Sequence, residues 1–202
     1  MSRPEPDQPH ASPATAMNVI PTRLPGVVVI EPKLYRDDRG YFLETWNQAR
    51  YVAAGLPAEF VQDNVSISAP RVLRGLHLQT PSCQSKLVGA LVGAIWDVAV
   101  DVRVGSPTFG QWVGTTLSAA DHRQMFIPAG FAHGFVVLGD TAATVAYKCD
   151  AFYAPKEELT VLWDDPEIGI DWPVSFPILS SKDGAGLRLR DVPPDRLSRY
   201  QA

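Results

Sequence analysis

From Val27 onward the chain breaks into short runs of apolar and β-branched residues, each closed by glycine, proline, aspartate or a polar pair. The runs are VVVI, YFLETW, FVQDNVSIS, VLRGLHLQ, KLVGALVG, AIWDVAVDVR, FGQWVGTTL, QMFIP, HGFVVL and TVAYKCD. Strands so short and so closely spaced predict an antiparallel sandwich or barrel, because βαβ units need helical stretches between strands. Within AIWDVAVDVR, alternation puts Val98, Val100 and Val102 on one face and Asp97, Ala99, Asp101 and Arg103 on the other. Turned to water, the polar face needs no partners. Turned into a closed barrel, it lines a polar cavity, and its carboxylates require partners such as Lys86 or Arg74.

One helix is predicted, with Asn47 as N-cap and QARYVAAG running to Gly55 as its C-terminal stop. VPPDRLSRY predicts a further short surface helix. Residues 1–17 are rich in proline and polar side chains and predict a disordered tail, leaving residues 18–202 as a single domain.

Composition narrows the function classes. With 202 residues, 46% of them hydrophobic and 20% charged, the chain can close one substantial core. A net charge of -4 argues against nucleic-acid binding, which needs a basic surface, but leaves room for a small anion gripped by local arginines. No run has the length of a membrane span or the apolar core of a signal peptide, so a cytoplasmic protein is expected. Cys83 and Cys149, too few and wrongly spaced for a disulfide scaffold or a zinc site, read as free thiols.

Of four histidines, His10 lies in the tail and His122 in a turn, whereas His77 in RGLHLQ and His133 in GFAHGF sit inside strand runs. Each is either a core ring satisfied by a neighbour or a functional group. A metal site fits poorly, because the same-face neighbour of His77 is Gln79, a weak ligand. Proton transfer fits better: an imidazole suits a base near neutral pH, and Lys86 and Tyr147 offer an oxyanion stabiliser and an acid. Arg39 in DDRGYF and Arg74 in LRGLH are either surface ion pairs or bidentate grips on a phosphate. Arg74 and His77 stand three residues apart, so a regular strand points them to opposite faces; a bulge at Gly75 turns both to one side.

Taken in order, EPKLYRDDRGYFLETW, FVQDN, VLRGLHLQ, QSKLV, DVAVDVR, GSPTFGQWVG, IPAGFAHGF, YKCDAFYAP, WDDPEIGIDWP and LSSKD resemble the dTDP-4-dehydrorhamnose 3,5-epimerases. The resemblance implies an all-β, cupin-like antiparallel barrel of jelly-roll type with one or a few short peripheral helices. It implies that His77 is the base, Asp183 its carboxylate partner, Tyr147 the acid on the other face of the sugar and Lys86 the group beside the C4 carbonyl. It places Arg39 and Arg74 at the diphosphate, Glu44, Gln62 and Asn64 around the nucleotide and Tyr153 beside the ligand, with His133 and Asp97 in support. It implies a homodimer with shared N-terminal strands and neither metal nor cofactor.

The implied reaction is inversion of C3 and C5 of dTDP-4-keto-6-deoxy-D-glucose on the way to dTDP-L-rhamnose, a precursor of surface glycoconjugates such as lipopolysaccharide. The alternatives are a 3- or 5-monoepimerase, or a barrel that binds a sugar nucleotide without reaction. Val65 after QDN and Gly89 after KLV depart from the histidine and basic residue of many relatives, and are expected to alter nucleotide contacts.

Overall fold

The computed structural model describes residues 17–57 and 59–201. Its strands are β1 (Met17–Pro21), β2 (Val28–Pro32), β3 (Leu34–Asp37), β4 (Gly40–Leu43), β5 (Gln62–Ser68), β6 (Leu73–Gln79) and β7 (Lys86–Val92). They continue as β8 (Ala94–Asp101), β9 (Trp112–Ser118), β10 (Gln124–Ile127), β11 (Phe131–Leu138), β12 (Ala143–Cys149) and β13 (Glu158–Thr160). Two short helices, α1 (Gln48–Ala53) and α2 (Ser181–Gly184), accompany them.

One sheet has the order β1-β2-β10-β7-β12-β5 and the other β13-β6-β11-β8-β9, with β3 and β4 forming a separate hairpin. From β5 to β13 the chain changes sheet at every step except β8 to β9, the alternation of a jelly roll. Val88, Met125 and Val145 from the first sheet meet Ile95, Leu117 and Phe135 from the second in one buried cluster between them. This is the all-β antiparallel barrel expected from the run pattern.

Both outer faces are also covered. Leu76, Leu78, Val98 and Val100 on the back of the second sheet pack under Leu189, Val192 and Leu197 of the C-terminal segment. Ile30, Leu87 and Phe126 on the back of the first pack under Tyr51 of α1 and Leu56. Each such side chain contributes about 1.5–3 kcal/mol when fully buried. Asn47 caps α1 as expected, its side chain accepting from the Arg50 amide, and Gly55 follows at φ 80°. The VPPDRLSRY helix is a single 3-10 turn, Pro194–Arg196.

Two expectations are corrected. Met17 belongs to β1 and not to a tail: it pairs with Pro32, and its side chain packs on the Ile30 cluster. The rest of the expected tail, residues 1–16, lies outside the described residues. The buried carboxylates of β8 find partners other than Lys86 or Arg74: Asp97 meets His133, and Asp101 meets Arg103. The reason is local, since β11 lies directly beside β8 and the chain turns just after Asp101 to bring Arg103 back.

Candidate active site

A cavity of about 390 Å³ opens between the two sheets. Asn64 on β5, Lys86 on β7 and Tyr147 on β12 line it from one sheet; Arg74 and His77 on β6 and His133 on β11 line it from the other. Gln62 and Tyr153 complete the set of expected residues at its wall.

His77 and Asp183 form a pair, with Nε2 2.6 Å from Oδ1. The carboxylate is only 3% exposed and is itself fixed: its Oδ2 accepts from the Ser180 hydroxyl at 2.7 Å, while that hydroxyl accepts the Asp183 amide as the N-cap of α2. With one ring nitrogen donating to Asp183, the other keeps its lone pair and makes no hydrogen bond among the described residues. Burial, and then the Lys182 ammonium, bring the proton affinity of His77 below the usual imidazole value despite the opposing pull of Asp183. The shift favours the neutral ring, the form a base must take.

Arg74 shares this cavity because β6 carries an extra residue. His77 pairs with His133 and Arg74 with Phe135, so three steps on β6 match two on β11. Gly75 occupies the irregularity at φ 128°, and a Cβ there would stand 2.5 Å from the Gly134 Cα. Only glycine satisfies both conditions. The Arg74 guanidinium is steadied by the Ser68 hydroxyl at 2.9 Å and has no carboxylate within ion-pair distance among the described residues. A cation so placed suits an anionic ligand group.

Lys86 is in the same condition, its ammonium reaching only Gln84 Oε1 at 3.4 Å. Burial holds it below the usual lysine value. A buried cation without a counter-ion suits an oxygen that develops negative charge. Burial raises the Tyr147 phenol above its usual value, so it stays protonated and able to donate. His133 is held by Asp97, Nε2 to Oδ1 2.8 Å, with Asp97 fully buried and its Oδ2 left without a partner. Burial pushes the Asp97 carboxyl upward in proton affinity, with His133 pulling the other way.

Several contributors escaped the sequence reading. Gln79 and Gln84 are structural clamps: their amides donate to the carbonyls of Phe152 and Ala151. Gln62 Oε1 accepts the Tyr153 amide at 2.9 Å, so three glutamines hold the segment that presents Tyr153. Glu158 and Lys182 also line the cavity. The adjacency of Lys182 to Asp183 was the one available signal; nothing local distinguishes Glu158 from Glu157.

Arg39 and Glu44 do not reach this cavity. Arg39 sits at the β3–β4 turn, 89% exposed, paired with Asp37 at 2.6 Å, and Glu44 binds Arg50 at 2.7 Å beside α1. Val65 and Gly89 line a second cavity instead, together with Leu91 and Ala146, so their departures do not touch the wall that carries His77. The cause is parity: Gly89 lies three residues from Lys86 on β7, and Val65 one from Asn64 on β5. Among the described residues, no three His, Cys, Asp or Glu side chains group as a metal ion would require. No helix among them is long and apolar enough to cross a membrane.

Residues 21–191 match the family described as dTDP-4-dehydrorhamnose 3,5-epimerase. The epimerase of that name from Pseudomonas aeruginosa is 54% identical over 171 residues, 84% of this chain and 94% of the relative. The crystal structure of dTDP-6-deoxy-D-glucose-3,5-epimerase from Legionella pneumophila, in complex with dTDP-4-keto-L-rhamnose, superposes with a TM-score of 0.89 at 49% identity. It covers 92% of this chain and 100% of its own. ChmJ, a 3'-monoepimerase from Streptomyces bikiniensis in complex with dTDP-quinovose, is similar at a TM-score of 0.78 and 36% identity, covering 85% of this chain and 87% of its own.

Proposed function

The chain belongs to the dTDP-4-dehydrorhamnose 3,5-epimerase family and inverts C3 and C5 of dTDP-4-keto-6-deoxy-D-glucose in dTDP-L-rhamnose biosynthesis, and we propose that it does so with His77 as the base and Tyr147 as the acid. The observation that carries this reading is the placement of His77, paired with Asp183 of α2, on one sheet and Tyr147 on the other.

C3 and C5 both flank the C4 ketone, so removing either proton leaves an enolate with its charge on the C4 oxygen. His77 takes the proton, and Asp183 stabilises the imidazolium that forms. Lys86 faces the C4 oxygen and stabilises the developing charge. Returning the proton from the same side only restores the substrate. Tyr147 delivers a proton from the opposite side and so inverts the centre; the imidazolium then loses its proton to solvent and the phenolate regains one before the second centre reacts.

Arg74 grips the diphosphate, Gln62, Asn64 and Tyr153 contact the nucleotide, and His133, held by Asp97, supports the pocket wall. Arg39 and Glu44 serve the site of a second copy: within one chain they lie away from the cavity, on and beside an exposed hairpin with Phe42 69% exposed. A homodimer exchanging N-terminal segments brings them to the nucleotide. We place this enzyme in the cytoplasm, where Cys83 and Cys149 remain free thiols.

Turnover in heavy water followed by NMR of the product tests the reaction. Deuterium at both C3 and C5 with both centres inverted is expected; label at one carbon with one inversion overturns it. Sedimentation of the intact protein tests the dimer, and a monomer at assay concentration removes it.

A further inference from the structure

Three chain segments meet at the cavity through a single carboxylate. Glu158 on β13 accepts from Lys182 Nζ at 2.7 Å through Oε1 and from the Tyr153 hydroxyl at 3.1 Å through Oε2. Lys182 immediately precedes Asp183 on α2, a helix of only four residues, too short to be stable on its own hydrogen bonds. β13 runs beside β6, with Thr160 opposite His77. The ion pair thus joins the turn that carries Asp183 to the strand that flanks His77. The Glu158 side chain is 19% exposed and that of Lys182 49%, so the carboxylate is shielded while water reaches the ammonium.

We propose that Glu158 and Lys182 are positioning residues for the base: their ion pair holds Asp183 against His77 and sets two opposite charges near the ring. The proposal rests on the reading of His77 as the base. Such a base must be neutral when substrate arrives and must hold a proton afterwards. Asp183 favours the imidazolium even in the empty site. Burial and, after it, Lys182 oppose that tendency, and Glu158 offsets part of the opposition. The other titratable or charged groups sharing the cavity are Arg74 on the same strand, His133 from β11, Lys86 and Tyr147 from the opposite sheet, Cys149, and Tyr153.

The test uses the full-length protein, whose four histidines make ring NMR tractable, with His77→Asn assigning the His77 resonances. Lys182→Met is expected to raise the His77 titration midpoint by roughly half to one pH unit, and Glu158→Gln to lower it by a similar amount. Lys182→Arg and the double variant Lys182→Met/Glu158→Gln should both lie near the wild-type midpoint. The acidic limb of kcat/KM should move with the ring in each case.

Midpoints that stay within about 0.2 units, or that move in the same direction for both charge removals, overturn the proposal, because a purely structural brace has no sign. Should Lys182→Met fail to fold, Glu158→Gln decides alone, since the amide can still accept from Lys182: a downward shift supports the proposal and no shift ends it. Failure of the underlying reading is separate. Proton exchange surviving in His77→Asn removes the base, whereas a His77 midpoint indifferent to both charges removes the positioning role even if His77→Asn is inactive.

Discussion

His77 on β6 and Tyr147 on β12 stand in different sheets yet line the same cavity. A sugar ring placed between them offers one face to an imidazole and the other to a phenol, which is what inversion of a carbon next to a ketone demands. The sandwich achieves this because a single wall cannot address both faces of a ring.

Replacing Asp183 with asparagine removes the carboxylate that orients His77 at 2.6 Å and stabilises its protonated form. Under the proposed mechanism kcat falls by about 10²–10⁴-fold, the range of a positioned acid–base group. The affinity for dTDP, measured by calorimetry, should change by less than about threefold, since Asp183 lies behind the ring. A fall in affinity matching the fall in rate would assign Asp183 to binding.

Under the proposed mechanism, Tyr147→Phe leaves the base in place and removes the opposing acid. Solvent deuterium should still enter C3 or C5 with retention, while inversion slows by about 10²-fold or more. Mass spectrometry of recovered substrate, compared with product formation, separates exchange from inversion. Equal loss of both would make Tyr147 the abstracting group.

Gly75→Ala should destabilise the fold by about 2–4 kcal/mol, because strain at φ 128° adds to a Cβ placed 2.5 Å from the Gly134 backbone. Gly55→Ala, at φ 80° with nothing within 4 Å, isolates the conformational part and should cost about 1 kcal/mol. Urea unfolding of the two variants measures the difference.

Asp101 couples stability to acid. Burial would raise its carboxyl, but hydrogen bonds from Arg103, Ser106 and Thr108 bring it down to about 2. The depressed value means its contribution is complete above the unfolded value of about 3.9 and disappears as pH falls through 4 toward 2. That contribution is about 2 kcal/mol for a side chain with no exposure. The stability gap between wild type and Asp101→Asn, measured by urea unfolding, should therefore narrow by about this amount between pH 5 and pH 2.

Buried strands left readable apolar runs, and so did β4, although its Tyr41 and Phe42 are exposed. β1, β3 and β13 are three to five residues long and mostly exposed or half-buried, so their pattern carries little periodic signal. The bulge at Gly75 was readable from parity alone, because two residues three apart cannot share a face of an unbroken strand. Asp97 was readable as a carboxylate in need of a partner, but the choice of His133 depended on β11 lying next to β8.

By itself, then, the sequence determined the strand-rich barrel, the capped helix at Asn47, the residues with acid–base chemistry and, through the order of its motifs, the family. The tertiary structure decided how those residues meet. The Asp183–His77 pair, implied by the resemblance alone, closes across 106 positions, Glu158 reaches Lys182 across 24, and Arg39 and Glu44 stay outside the cavity of their own chain. The physical reason is that turn and strand signals act over a few residues, whereas a hydrogen bond between distant side chains exists only once the sheets have closed and excluded water around it.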